Sequence, residues 1–284
     1  MIPFMAGRGG HCLSLSTTGH DPLSVQDVSA TSATRSAADL LRRAGGRLRR
    51  VGDDAPHAGR RTSPLRSSGM SDIRTFHARR GRMSEAKSEA IRTLLPVLGV
   101  PAGPLDVALL DGRPLVLEIG FGLGHATVEM AQAEPGVGIV AIDVHTPGVA
   151  RLLTEIHERG LENVRVVHGD AVEFLRERVA ETSLAGIRAF FPDPWPRARH
   201  HKRRLVRPDL VALMASRLRP GARLHLATDW APYAEAMIEV LEAEPLMVNA
   251  YEGLAPRGER PLTKFERAGL DQGHEVVDLV YVRV

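Results

Sequence analysis

The sequence predicts an α/β fold: a doubly wound, Rossmann-like parallel sheet with helices on both faces, behind a disordered N-terminal extension. Three observations lead there. From residue 115 onward, short apolar runs alternate with helix-length amphipathic segments, the pattern of a sheet whose strands are joined by helical crossovers. Near residue 70 a stretch rich in Ser, Thr, Gly, Ala and Arg gives way to periodic hydrophobicity. Glycines and acids collect directly after the apolar runs, which is where an open α/β sheet binds its ligands.

Taken in order, residues 1–69 have almost no aromatic side chains and no sustained hydrophobic period, so they read as a disordered low-complexity tail. Within them, residues 37–48 have the composition of a short basic helix, and the Arg-rich, acid-poor character is also that of a targeting peptide. Met70 stands as an alternative start. Residues 70–284 form the folded domain, opening with a basic arm. Ser84, with Lys87 and Ser88, begins a helix whose apolar positions are Ile91, Leu94, Leu95 and Leu98. Strands are expected at Leu115–Ile119, 138–142, Val164–His168, 186–191 and 223–227, with a helix starting near His125. Residues 275–284 alternate polar and apolar as a last strand would.

Composition narrows the class. The 284 residues, 43% hydrophobic, suffice for a real core. No apolar segment approaches the ~18 residues of a membrane helix, and no signal-peptide core is present, so a cytoplasmic protein without membrane contact is expected. Cys12 is the one cysteine, so no internal disulfide or cysteine metal cage can form and no metal is expected. The formal charge is only +3, so any nucleic-acid surface must come from clustering. Monomer and homodimer both remain open.

The first strand runs into LEIGFGLGHATVEMA. Gly120, Gly122 and Gly124 permit a tight turn with close backbone approach to a ligand at the following helix N-terminus. Their spacing departs from the dinucleotide fingerprint. Glu118 adds a carboxylate, which repels a pyrophosphate but accommodates the cationic end of S-adenosylmethionine. Asp143 ends the second strand about 20 residues on, where an acid can take both ribose hydroxyls. Asp170 follows the third strand and suits either the adenine edge or a helix cap.

The stretch FFPDPWPRARHHKRR, residues 190–204, joins an acidic turn to a cationic run. Pro192, Pro194 and Pro196 forbid helix and sheet continuation, so Asp193 and Trp195 stand on a rigid loop at a strand's carboxyl end. Residues 197–207 hold six Lys or Arg, two His and no carboxylate, a density that suits a phosphate backbone and is also met in solvated surface. Trp195 either stacks on a base or braces the loop. Asp229, in ATDW, ends the fifth strand and is a helix-cap candidate, while Thr263 and Glu266, in TKFE, match a capping box.

These motifs together resemble the bacterial tRNA (guanine-N7-)-methyltransferase family, a class I S-adenosylmethionine-dependent methyltransferase family, over roughly residues 74–284. The motifs are RRGR at 79–82, EIGFGLG, Val144-His145, FPDPWP with RARHHKRR, ATDW and TKFE. The resemblance implies cofactor contacts at Glu118, Asp143, Asp170 and Asp193, with Gly120, Gly122 and Gly124 shaping the turn, and a catalytic role for Asp193. It implies a tRNA partner methylated in its variable loop, with substrate contacts at Arg197, Asp229, Thr263, Lys264, Phe265 and Glu266. RNA contacts are implied at Arg199, His200, His201, Lys202, Arg203 and Arg204. Family members commonly carry Glu at the position of Asp143 and Lys at that of Arg197; both departures keep the charge. The chemistry is consistent, because guanine N7 carries an in-plane lone pair and no proton, so positioning and electrostatics matter more than a base. An adenine amino-methyltransferase is the rival enzyme, but its Asp/Asn-Pro-Pro-aromatic turn needs a second consecutive proline that Asp193-Pro194-Trp195 lacks. A non-catalytic RNA-binding protein on the same fold and a nicotinamide oxidoreductase are the remaining alternatives.

Overall fold

The computed structural model describes residues 74–76, 83–256, 258–263, 266 and 275–284. The expected tail and its basic helix, the arm at 79–82, Lys264 and Phe265 lie outside the described residues. Helix α1 (Glu85–Leu98) starts as expected, with the Ser84 hydroxyl accepting the Lys87 amide at 3.4 Å. Then follow β1 (Leu115–Ile119), α2 (His125–Ala133), β2 (Gly138–Asp143), α3 (Thr146–Arg159), β3 (Val164–His168), α4 (Ala171–Glu177) and β4 (Leu184–Phe190). A 3-10 turn at Ala198–Arg203 precedes α5 (Pro208–Arg217), β5 (Leu218–Thr228), α6 (Ala231–Glu242), β6 (Met247–Asn249) and β7 (Val277–Arg283).

The seven strands form one sheet in the order β3-β2-β1-β4-β5-β7-β6. The first five are parallel, and the order reverses between β1 and β4, which opens a crevice at their carboxyl ends. The doubly wound parallel sheet is as expected, and the last strand, to which the sequence assigned no direction, extends it at one edge. β7 runs antiparallel to both β5 and β6, an arrangement common where a parallel sheet ends. Strand bounds shift. β5 begins at Leu218 rather than 223 because Arg219, Pro220 and Gly221, which interrupt the apolar run, are carried into the strand at an irregularity in its pairing with β4. β4 stops at Phe190 because Phe191 turns left-handed, with φ 54°.

Side chains alternate across the sheet, and the helices cover both faces. Leu117, Val140, Ile142 and Ile187 pack with α4, α5 and α6, while Ile139, Ala141, Val164 and Val166 pack with α2 and α3. The four predicted apolar positions of α1 lie against this second cluster. Among the described residues no helix is long and apolar enough to cross a membrane.

Candidate active site

A cavity of about 410 Å³ opens at the carboxyl ends of β1, β2 and β4. One wall is the glycine turn, with Gly120, Gly122 and Leu123; the floor includes Ile119, Ile142 and Asp143. The opposite wall is the loop after β4, with Phe191, Pro192 and Asp193, closed by Thr75 and Phe76 from the segment before α1. Of the residues expected at the cofactor, Gly120, Gly122, Asp143 and Asp193 line this cavity, and Asp170 is flanked by two that do, Gly169 and Ala171.

Each acid has a distinct setting. Asp143 accepts the Gly122 amide through Oδ2 and the His145 amide through Oδ1, both at 2.8 Å, so it ties the glycine turn to the end of β2 and keeps further lone pairs for a ligand. Asp170 is the N-cap of α4, accepting the Val172 amide at 2.8 Å. Glu118 sits within β1, 3% exposed, with Oε2 buried and unpartnered. Burial pushes its carboxyl up to about 7, with Asp143 adding to the rise and the Thr127 hydroxyl and Arg188 guanidinium opposing it. The Thr127 hydroxyl is itself buried without a partner at hydrogen-bonding geometry, so its pull is that of a nearby dipole. Glu118, expected at the cofactor, does not itself line the cavity; it lies one residue before Ile119 and two before Gly120, which do, and its orphan oxygen is an unmet acceptor beside that wall.

Gly124 turns out to serve packing. It caps α2 in the left-handed region, φ 76°, and a Cβ there would stand 2.8 Å from the Leu152 side chain. Gly148, which the sequence reading passed over, is tighter still: a Cβ on it would lie 1.9 Å from the Gly122 carbonyl oxygen. Its signal was a glycine in the first turn of an otherwise amphipathic helix, where propensity disfavours it.

The proline loop is braced from below. Phe191 and Trp195 bracket it with φ of 54° and 45°, conformations that cost about 1–3 kcal/mol each in non-glycine residues. Trp195 is 3% exposed and donates its indole N–H to the Thr75 carbonyl at 3.2 Å. The Arg203 guanidinium lies 3.8 Å over its ring. Trp195 is therefore a brace, with no face left for a base. Arg203 also donates to the carbonyls of Arg74 and Phe76, both at 3.1 Å, strapping that segment to the loop.

The basic run divides accordingly. Arg197, Arg199, His201 and Lys202 are exposed, and His200 and Arg203 are half-buried. Arg204, expected among the RNA contacts, is turned inward and only 6% exposed. It donates to the Pro194 carbonyl at 2.9 Å and lies 4.7 Å over the Tyr233 ring. Asp229 is exposed just past β5 and is not the cap of α6; that position is Trp230, whose amide bonds the Thr228 hydroxyl at 3.2 Å. Half of the expected capping box is present, with the Thr263 hydroxyl accepting the Glu266 amide at 3.1 Å. The Glu266 carboxylate instead meets Arg260.

A family model described as "Putative methyltransferase" matches residues 112–279. The tRNA (guanine-N(7)-)-methyltransferase of Streptomyces avermitilis is 49% identical over 233 residues, 80% of each chain. That of Aromatoleum aromaticum is 52% identical over 216 residues, 74% of this chain and 83% of its own. The solved 16S rRNA methyltransferase KamB overlays with a TM-score of 0.47 at 17% identity, covering 62% of this chain and 91% of its own. With so loose an overlay, family membership rests on the sequence relatives.

Proposed function

The chain belongs to the tRNA (guanine-N(7)-)-methyltransferase family, and from that premise we propose that it methylates N7 of a guanine in the variable loop of tRNA, using S-adenosylmethionine. One arrangement carries the reading: Asp193 stands on the cavity wall at the end of β4, with the exposed cations Arg197, Arg199 and Lys202 immediately beyond it. A small-molecule cavity and an exposed cationic surface thus meet at one carboxylate.

The residues present fit the cofactor. Glu118 offers a buried carboxylate oxygen in need of a cationic or donor partner, Asp143 retains lone pairs for a ribose diol, and Ile119, Leu123 and Ile142 supply apolar wall. Asp170 keeps its second oxygen for the adenine edge. When bound, S-adenosylmethionine supplies a sulfonium-activated methyl group. The chain's own part is to position and to stabilise charge. Alkylation at N7 leaves the guanine ring cationic and moves no proton at that atom, so carboxylates preset around the ring stabilise the charge as it develops. Asp193 and Asp229 fill that role while accepting from the guanine N1 and N2 edge, which selects guanine over adenine. Arg197 and the 263–266 segment, with Thr263, Lys264 and Phe265, complete the grip on the nucleotide, and Arg199, His201 and Lys202 meet phosphates. A cytoplasmic location goes with that substrate.

The test is incubation with labelled S-adenosylmethionine and unmodified tRNA, followed by nucleoside analysis. 7-Methylguanosine is the expected product, and methylated adenine as the sole product overturns the assignment.

A further inference from the structure

Beneath the proline loop lies a buried ionic cluster that takes no part in lining the cavity. Arg260, with a side chain 4% exposed, forks onto Asp278 through Nε–Oδ1 at 2.7 Å and Nη2–Oδ2 at 3.1 Å. Its Nη1 donates to Glu266 Oε2 at 2.5 Å. His225 Nε2 meets Asp278 Oδ1 at 3.0 Å. Burial alone would raise the Asp278 carboxyl, but the bonds from His225 and Arg260 outweigh it and hold the group below the usual range. The same guanidinium lies 4.9 Å over the ring of Phe190 and 5.3 Å over that of Phe191.

One side chain therefore touches the end of β4, strand β7 and the segment carrying Thr263 and Glu266. A core ion pair kept for stability is the plain alternative. It is a poor stability device, since a buried pair replaced by apolar residues of equal volume is often neutral or better. What a guanidinium fork adds is direction, because its donors are fixed in a plane. The segment it directs follows it by three to six residues, and the loop it stacks on reaches Asp193 two residues after Phe191.

We propose that Arg260 is a positioning residue for methyl transfer: it fixes Glu266, and through it Thr263, relative to the Asp193 loop, so that both sides of the guanine site are held in one geometry. This rests on the reading above, in which those two segments grip the nucleotide.

The experiment begins with wild type, whose failure to form 7-methylguanosine would refute that reading and not the role of Arg260. Given wild-type product, kcat and KM on unmodified tRNA are measured for Arg260→Lys, Glu266→Gln and the double variant, per S-adenosylmethionine-binding site counted by calorimetry. Arg260→Lys keeps the charge but loses the fork. Its kcat per binding site should fall on the order of 10²-fold, the scale of a roughly 1 Å misplacement, while cofactor affinity stays at the wild-type value. Glu266→Gln should fall in the same direction by less, and the double variant should be no slower than Arg260→Lys, as expected of residues acting through one contact. A wild-type kcat per binding site alongside a lowered melting temperature makes Arg260 a stability brace and overturns the proposal. Losses that multiply in the double variant overturn it as well. Should Arg260→Lys fail to fold, Glu266→Gln decides, since it leaves the Arg260–Asp278 fork in place and wild-type turnover there removes the proposal.

Discussion

On the β1–β2 side the cavity wall is built around a glycine turn, whereas on the β4 side it is a proline-stiffened loop held by side chains. The glycine wall is kept in shape by what is missing: no Cβ at Gly148, where the Gly122 carbonyl comes within 1.9 Å of where one would stand. The proline wall is kept in shape by what is added, with Trp195, Arg203 and Arg204 bonded to carbonyls of the loop and of the segment before α1. The difference teaches where each wall can fail. A surplus atom breaks the first, and a lost side chain breaks the second.

The comparison breaks most severely at Gly148. In Gly148→Val the new side chain must displace either α3 or the glycine turn, and S-adenosylmethionine affinity should drop by roughly 10³-fold, about 4 kcal/mol. Calorimetry on protein shown to be folded by circular dichroism is the check; wild-type affinity would mean the turn can move without consequence. On the opposite wall Asp193→Asn should lower kcat by about 10²-fold, the scale of losing one preorganised electrostatic group, while changing that affinity far less than Gly148→Val does. If cofactor affinity falls as far as in Gly148→Val, the two walls do not divide the labour in this way.

Glu118 sharpens the contrast because, on the proposed reading, a bound cofactor relieves the cost of its burial. The folded chain holds its proton up to about pH 7, whereas an unfolded glutamate releases it near 4.5. The cofactor-free fold therefore loses stability as pH rises across that interval, by about 3 kcal/mol in all. Glu118→Gln should abolish that loss, giving a higher melting temperature than wild type at pH 8. The ionised carboxylate is also the form that pairs with a cation, so wild-type cofactor affinity should improve as pH rises through about 7 and the variant's should not. Matching pH profiles for both proteins would place the titrating group elsewhere.

Sequence alone reached the backbone-defined wall more easily than the braced one. A glycine turn, a strand end and the Ser84 cap are local, so Gly120, Gly122, Asp143 and α1 stood where periodicity and spacing put them. β6, three residues long, offers too short a pattern to read, and the antiparallel insertion of β7 between β5 and β6 depends on pairing between residues some fifty apart. Gly148 was visible only as an odd helix residue, since its contact with Gly122 exists in three dimensions. Arg260 carried no signal at all: an arginine in a Gly- and Pro-rich loop reads as solvated until Asp278 and Glu266 close around it. In the basic run, charge density alone does not distinguish Arg204, which faces inward, from Arg199 and Lys202, which are exposed.

That run supports the finest test of the braced wall, since neighbouring cations of equal charge have opposite assignments. Arg199 and Lys202 are exposed, so Arg199→Ala with Lys202→Ala should weaken tRNA binding and lower the log-log salt slope by roughly 0.7 to 0.9 per lost phosphate contact. Cofactor affinity should not change. Arg203 instead holds the carbonyls of Arg74 and Phe76, and Phe76 and Thr75 line the cavity. Arg203→Ala should accordingly loosen S-adenosylmethionine binding while leaving the salt slope of tRNA binding at its wild-type value. The two variants thus exchange readouts. A flattened salt slope in Arg203→Ala with unchanged cofactor affinity would mean that this arginine lets go of the strap to reach RNA, and the wall would then owe its shape to Trp195 and the prolines alone.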